Sequence, residues 1–123
     1  MLTQAHTVLP AADLSRVRGF YHDKLGMDPS EEREGTLVYG DGGARFEVYE
    51  TENAGTAKNT QMGWVTEDLD GEMAKLRAAG VEFLEFELPF MKTEHGVVDD
   101  ANGRAAWFKD SEGNILCLTE AAR

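Results

Sequence analysis

Two short patterns occur twice in this chain, and a sequence that repeats itself at half-domain scale is built from two similar modules. Val38 to Glu50, V-Y-G-D-G-G-A-R-F-E-V-Y-E, matches Trp107 to Glu120, W-F-K-D-S-E-G-N-I-L-C-L-T-E, with one extra residue in the turn. Each copy reads as a hairpin: an apolar run, an Asp/Gly turn, then a second alternating run. Ala5 to Leu14, A-H-T-V-L-P-A-A-D-L, likewise matches Thr60 to Leu69, T-Q-M-G-W-V-T-E-D-L. Each of these is a short β-like run that ends in Asp-Leu and leads into a helical pattern. Laid over one another, the hairpins set Cys117, the only cysteine, on Glu47.

The helical patterns agree with two modules. Asp13 is placed to cap a run in which Leu14, Val17, Tyr21 and Leu25 recur at helical spacing, and Gly26 supplies a stop. Asp68 caps a second run with Leu69, Met73 and Leu76 on one stripe and Gly80 at its end. After each helix comes a strand candidate, weak in P-S-E-E-R-E-G (Pro29 to Gly35) and stronger in V-E-F-L-E-F-E-L (Val81 to Leu88). Each half therefore reads strand, helix, three strands. The expectation is an α+β protein of two tandem βαβββ modules, approximately residues 1–52 and 58–123. The polar, breaker-rich stretch Thr51 to Asn59 joins them.

Length and charge narrow the classes. A chain of 123 residues is one domain by size, so residues 1–123 are expected to form a single domain. One cysteine cannot form an internal disulfide. The N-terminal M-L-T-Q-A-H-T-V-L-P lacks a basic start followed by an apolar run, and no apolar stretch approaches bilayer length. A cytoplasmic protein with no membrane partner is expected. Acidic residues number 23 against 12 basic, a net charge of -11. That field repels phosphates, which argues against nucleic acid, and it is compatible with a cationic ligand.

The order of elements, with the phrases H-T-V-L-P-A-A-D-L-S-R-V-R-G-F-Y-H-D-K-L-G-M and D-L-D-G-E-M-A-K-L-R-A-A-G-V-E-F, resembles the vicinal oxygen chelate superfamily. That group contains glyoxalase I, extradiol dioxygenases, fosfomycin-resistance enzymes and bleomycin-resistance proteins. The resemblance covers nearly the whole chain and includes the F-K-D-S-E-G-N turn before the last strand. It implies a curved mixed sheet around a cavity, with the helices on the outer face.

Strand alternation assigns faces. His6 and Val8 oppose Thr7 and Leu9; Glu47 and Tyr49 oppose Phe46 and Val48. Gln61, Gly63 and Val65 oppose Met62 and Trp64; Ile115, Cys117 and Thr119 oppose Leu116 and Leu118. The uniformly apolar face is expected against the helices, which sends His6, Glu47, Gln61 and Cys117 to one inner wall. The resemblance implies that these four positions hold the metal ligands of metal-dependent members. Here Gln61 is a weak neutral donor and Cys117 a thiol that must lose its proton to bind zinc. Only one of the four is His, against the His-His-carboxylate set of an iron dioxygenase. No metal or other cofactor is therefore favoured. A divalent metal, if present, would take His6, Glu47, Gln61 and Cys117.

The remaining candidates are ligand contacts. A carboxylate facing a cavity needs a partner, so Glu47 is read as meeting a ligand amine or Arg45. Gln61 is assigned to a ligand polar group or water, and Cys117 to small-residue filling. Tyr49 is a stacking or hydrogen-bonding candidate, and one of Trp107 or Phe108 should reach the cavity. The stretch Leu88 to Gly103 is long enough for a lid that Phe90 and Met91 could close. The function expected is small-molecule binding without an essential metal, with His6, Glu47, Tyr49, Gln61, Trp107, Phe108 and Cys117 around a cationic or aromatic ligand. The bleomycin-resistance branch, which this chain resembles in length, charge and broken ligand set, implies sequestration of an antibiotic or natural product by a homodimer. The alternative is a metal-dependent glyoxalase-like lyase or isomerase, in which the metal polarises a carbonyl and Glu47 moves the proton.

Overall fold

The computed structural model describes residues 1–41 and 44–122. The chain divides into two compact units, Met1–Ala57 with Asp110–Asn114, and Lys58–Lys109 with Ile115–Arg123. The fold class is α+β, with one helix and one four-stranded mixed sheet in each unit. Among the described residues no helix is long and apolar enough to cross a membrane.

The first unit runs β1 (Thr7–Ala11), α1 (Leu14–Leu25), β2 (Glu31–Arg33), β3 (Thr36–Asp41) and β4 (Ala44–Glu50). Its sheet order is β1-β4-β3-β2, parallel between β1 and β4 and antiparallel elsewhere. Leu9, Phe46, Val48, Leu37 and Tyr39 are buried, as are Val17 and Tyr21 of α1. The Tyr21 ring lies 5.2 Å from Tyr39 and 5.7 Å from Phe46, and the last two rings stack at 4.9 Å. Asp13 caps α1 by accepting from the Arg16 N–H, and Gly26 ends it in the left-handed region at φ 67. The Asp/Gly turn expected between β3 and β4 falls on residues 42–43, outside the described residues.

The D-S-E-G-N turn does more than reverse the chain. Residues 110–114 cluster with the first unit, where their buried polar side chains hold α1 and β1. The Tyr21 hydroxyl donates to Asp110 Oδ2 at 2.8 Å, and Asn114 Nδ2 donates to the Pro10 carbonyl at 3.0 Å. Glu112, fully buried, accepts from Arg16 Nε at 2.8 Å and from the backbone N–H groups of Ala12 and Asp13. Burial works to raise the Glu112 pKa, but the hydrogen bonds from Arg16, Ser111, Asp13 and Ala12 outweigh it and hold the carboxyl down at about 2.

The second unit runs β5 (Met62–Val65), α2 (Leu69–Ala78), β6 (Glu87–Leu88), β7 (Met91–Lys92), β8 (Val97–Asp100), β9 (Gly103–Lys109) and β10 (Ile115–Ala121). Its sheet order, β5-β10-β9-β8, repeats the pattern of the first, and β6 and β7 form a separate ribbon. Leu69, Met73 and Leu76 of α2 are buried, as are Leu116, Leu118, Ala106 and Phe108. Asp68 caps α2 through the Gly71 N–H, and Glu120 Oε2 accepts from the Leu69 N–H.

Two expectations need correcting here. Val81 to Leu88 is not the continuous strand its alternation predicts. Phe83 makes one isolated bridge to Phe108, the Leu84 N–H donates to the Trp107 carbonyl, and only Glu87–Leu88 is strand. The outer edge of β9 has room for one partner, and β8 takes its other half through pairs from Val97–Ala106 to Asp100–Gly103. The second correction concerns Leu88 to Gly103, which is not one long loop. It contains β7, the β8 strand, and between them a two-residue turn at His95 (φ 53) and Gly96 (φ 81). Arg77 donates to the His95 carbonyl at 2.9 Å and holds that turn.

Candidate ligand-binding site

In each sheet the helix covers one face, and alternation sends the other side chains to the opposite, open face. In the first unit that face carries Val8 of β1, Arg45, Glu47 and Tyr49 of β4, and Arg33 of β2. Parity explains the placement: Phe46 and Val48 are buried, whereas Val8 is 50% and Tyr49 42% exposed. Val8 lies beside Glu47 in the β1–β4 register.

Glu47 is the centre of a charged cluster. His6 Nε2 lies 3.0 Å from Glu47 Oε2, Arg45 Nη2 donates to the same oxygen at 3.4 Å, and Arg33 Nη1 lies 3.6 Å from Oε1. The Glu47 side chain is only 13% exposed. Three cation-capable groups thus surround one half-hidden carboxylate. Arg33 is also held by Glu31, at 3.1 and 3.3 Å. Among the described residues, Arg45 Nε is buried with no hydrogen-bond partner.

The open face of the second sheet is chemically opposite. Val65, Val98, Ala105, Trp107, Thr119 and Met91 line a cleft of about 320 Å³. Val65 is 81% exposed. The indole of Trp107 is fixed at both ends: its Nε1–H donates to Thr60 Oγ1 at 3.0 Å, and Phe86 meets it edge-on at 5.6 Å. Phe86 is itself anchored, because its N–H donates to Thr93 Oγ1 and its carbonyl accepts from the Thr93 N–H. Asp100 also lines the cleft, as do Glu120 and the Arg104 that contacts it at 3.5 Å.

The choice left open between Trp107 and Phe108 is resolved by register. Trp107 lies opposite Cys117 on the open face, while Phe108 pairs with Leu116, is fully buried and meets Phe83 edge-on at 5.8 Å. Phe108 is therefore a core residue rather than a ligand contact. Cys117 is buried, and burial pushes its thiol pKa up to about 11. Gly63 faces Cys117 across the β5–β10 pair so closely that a Cβ there would meet the Cys117 carbonyl oxygen at 2.8 Å. Gln61 Oε1 accepts from the Ile115 N–H at 3.0 Å.

These states bear on the metal expectation. His6 and Glu47 belong to the first unit, Gln61 and Cys117 to the second. Glu47 already meets two guanidinium groups and the His6 imidazole, Gln61 Oε1 holds a backbone donor, and a thiol near 11 is protonated at neutral pH. Guanidinium groups beside the only carboxylate of the set also repel a dication. Within either unit, no three His, Cys, Asp or Glu side chains among the described residues group so as to hold a metal ion. The donor set, as it stands, does not fit a catalytic dication.

Sequence reasoning reached His6, Glu47, Arg45, Trp107 and Met91, but not Arg33 or the Val65–Val98–Ala105–Thr119 floor. Arg33 sits in a segment of low strand propensity. The floor is assembled across four strands, and only the parity of Val65 and Thr119 pointed to it.

Comparison with known proteins places this architecture. A family model described as Glyoxalase/Bleomycin resistance protein/Dioxygenase superfamily matches residues 3–118. Among solved structures, a bleomycin-binding protein complexed with bleomycin is similar at a TM-score of 0.72 and 18% identity, covering 98% of this chain and 100% of the other. The E126Q mutant of the fosfomycin resistance protein FosX from Listeria monocytogenes, complexed with Mn(II) and 1S,2S-dihydroxypropylphosphonic acid, is similar at 0.69 and 17% identity, covering 99% and 93%. A protein from the mobile metagenome of V. Pseudocholerae is similar at 0.67 and 20% identity, covering 100% and 97%. At these identities the likeness is one of fold. No curated protein matches this chain.

Proposed function

Because the chain belongs to the Glyoxalase/Bleomycin resistance protein/Dioxygenase superfamily, we propose that it is a small-molecule-binding protein that needs no metal and sequesters an aromatic, amphipathic compound. The observation that carries this reading is the cleft of about 320 Å³, floored by aliphatic side chains and walled by an immobilised indole. Ligand sites are typically concave and mostly apolar, with a few polar groups at fixed places. The Trp107 ring face would stack on a flat ligand, Met91 would adapt to its outline, and Asp100 in the lining would meet a ligand amine. The bleomycin-binding relative makes a natural-product antibiotic the first compound to try. The reading includes a cytoplasmic homodimer. Exposed Val8, Tyr49, Val65, Leu88 and Phe90 support self-association, and a monomeric mass by light scattering at micromolar concentration would remove that part.

Titration with bleomycin and with a panel of aromatic amines, followed by intrinsic fluorescence, tests the reading. Binding should quench Trp107, and Trp107→Ala should weaken it about tenfold or more, as loss of a stacking aromatic does. Trp64 remains in that variant as an internal control. Saturable quenching that persists unchanged without Trp107 would refute the assignment of the cleft. A metal-dependent lyase or isomerase would instead show stoichiometric metal in protein purified without added metal.

A further inference from the structure

We infer that the Arg45–Arg33–His6 cluster of the first unit is an oxyanion-binding site, built to take a carboxylate or phosphoryl group. The reasoning is a count of donors and acceptors. Each guanidinium carries five N–H donors in a fixed fork that matches carboxylate and phosphate. Among the described residues Arg45 makes one side-chain hydrogen bond, a long contact of 3.4 Å to Glu47 Oε2, and its Nε is buried without a partner. Arg33 spends two on Glu31 and points a third at Glu47 from 3.6 Å. Glu47 Oε2 already has His6 Nε2 at 3.0 Å. Donors crowd this carboxylate: His6 Nε2 and Arg45 Nη2 both meet Oε2, and Arg33 Nη1 stands 3.6 Å from Oε1, so the face presents more cation-capable groups than carboxylates.

The surroundings agree. Arg45 is 30%, His6 37% and Arg33 51% exposed, so an anion can reach the outer edges of these groups, although Arg45 Nε itself is buried, and Glu47 at 13% is the hidden partner. Glu47 acts here as an internal counter-ion that an incoming anion must outcompete for the two guanidinium groups. Val8, half-exposed beside Glu47 in the β1–β4 register, offers carbon surface next to the charges. The net charge of -11 opposes the approach of an anion from afar, but at physiological ionic strength that field is screened beyond about 8 Å.

The test is a titration of the full chain at constant ionic strength with inorganic phosphate, sodium benzoate and ethylammonium chloride, read by backbone amide shifts. Phosphate or benzoate should bind with a Kd on the order of 1 mM, shifting residues of β4 and β2, and whichever binds tighter identifies the group as phosphoryl or carboxylate. Arg45→Gln should weaken that binding about tenfold, and Arg33→Gln should weaken it by less. Glu47→Gln should strengthen it several-fold by releasing both guanidinium groups. Amide dispersion and melting of each variant check folding, and should Arg45→Gln fail to fold, Arg33→Gln and Glu47→Gln still decide. Three results would each overturn the inference: no shift with either anion, anion shifts unchanged in Arg45→Gln, or ethylammonium binding that Glu47→Gln abolishes. None of them touches the Trp107 cleft, which the fluorescence titration tests separately.

Discussion

The two sheets share a strand order and a parallel edge pair, yet their open faces have opposite chemistry. Glu47 and Cys117 occupy matching places, one beside Val8 and the other beside Gly63. Around Glu47 gather two guanidinium groups and an imidazole; opposite Cys117 stands Trp107, on a face of valine, alanine and threonine. The helix-facing sides, by contrast, are interchangeable in kind: Leu9, Val48 and Phe46 in one, Leu116, Leu118 and Phe108 in the other. The lesson is a division of labour within each strand. Residues of one parity bury area and make the fold, so they stay apolar in both copies. Residues of the other parity are released from that duty and diverge toward charge in one copy and toward apolar contact in the other.

The comparison extends to the helix starts, and there the largest effect is expected. Both helices have an Asp cap and a remote glutamate, but Glu112 is fully buried against Arg16 and two backbone donors, whereas Glu120 takes one backbone N–H and a contact to Arg104 at 3.5 Å. Glu112→Ala should destabilise the protein by about 2–4 kcal/mol in urea denaturation, because it leaves the Ala12 and Asp13 N–H groups without their acceptor. Glu120→Ala should cost about 1–2 kcal/mol, and equal losses would erase the distinction. Acid titration probes the same asymmetry. The folded Glu112 carboxyl at about 2 lies below its ordinary 4.5. A depressed pKa stabilises above the unfolded value, so about 3 kcal/mol should be lost as pH falls from about 4.5 to about 2, and Glu112→Gln should flatten that loss.

Smaller effects sharpen the contrast between the open faces. Cys117, raised to about 11, should react with iodoacetamide at pH 8 about a hundredfold more slowly than a free thiol; a normal rate would mean the second face is wetter than its lining implies. Arg45→Ala should change the melting midpoint least, by the equivalent of under about 1 kcal/mol, because a part-exposed ion pair contributes little to folding. A large loss there would make the cluster a structural element rather than a binding one.

Much of this was legible from the chain. Asp13, Gly26 and Asp68 mark helix ends through local chemistry, and the Phe46/Glu47 and Leu116/Cys117 alternations fix faces. Val81 to Leu88 misled because its period of two is a local signal, whereas pairing depends on whether the β9 edge is free. The roles of Asp110, Glu112 and Asn114 were hidden for a related reason: their partners Tyr21, Arg16 and Pro10 lie roughly a hundred residues away, beyond the reach of any window. In the site, parity found Glu47 and Trp107, but the donor surplus on Arg45 exists only as geometry.

The turn at 110–114 also bears on how the protein is made. A ribosome that has released residues 1–57 has not yet synthesised the five residues that secure their helix. The nascent first half must wait, with the α1 N-terminus and the Tyr21 hydroxyl still seeking partners, until nearly the last strand is translated. A gene fragment ending at the linker would therefore yield a first half without its latch.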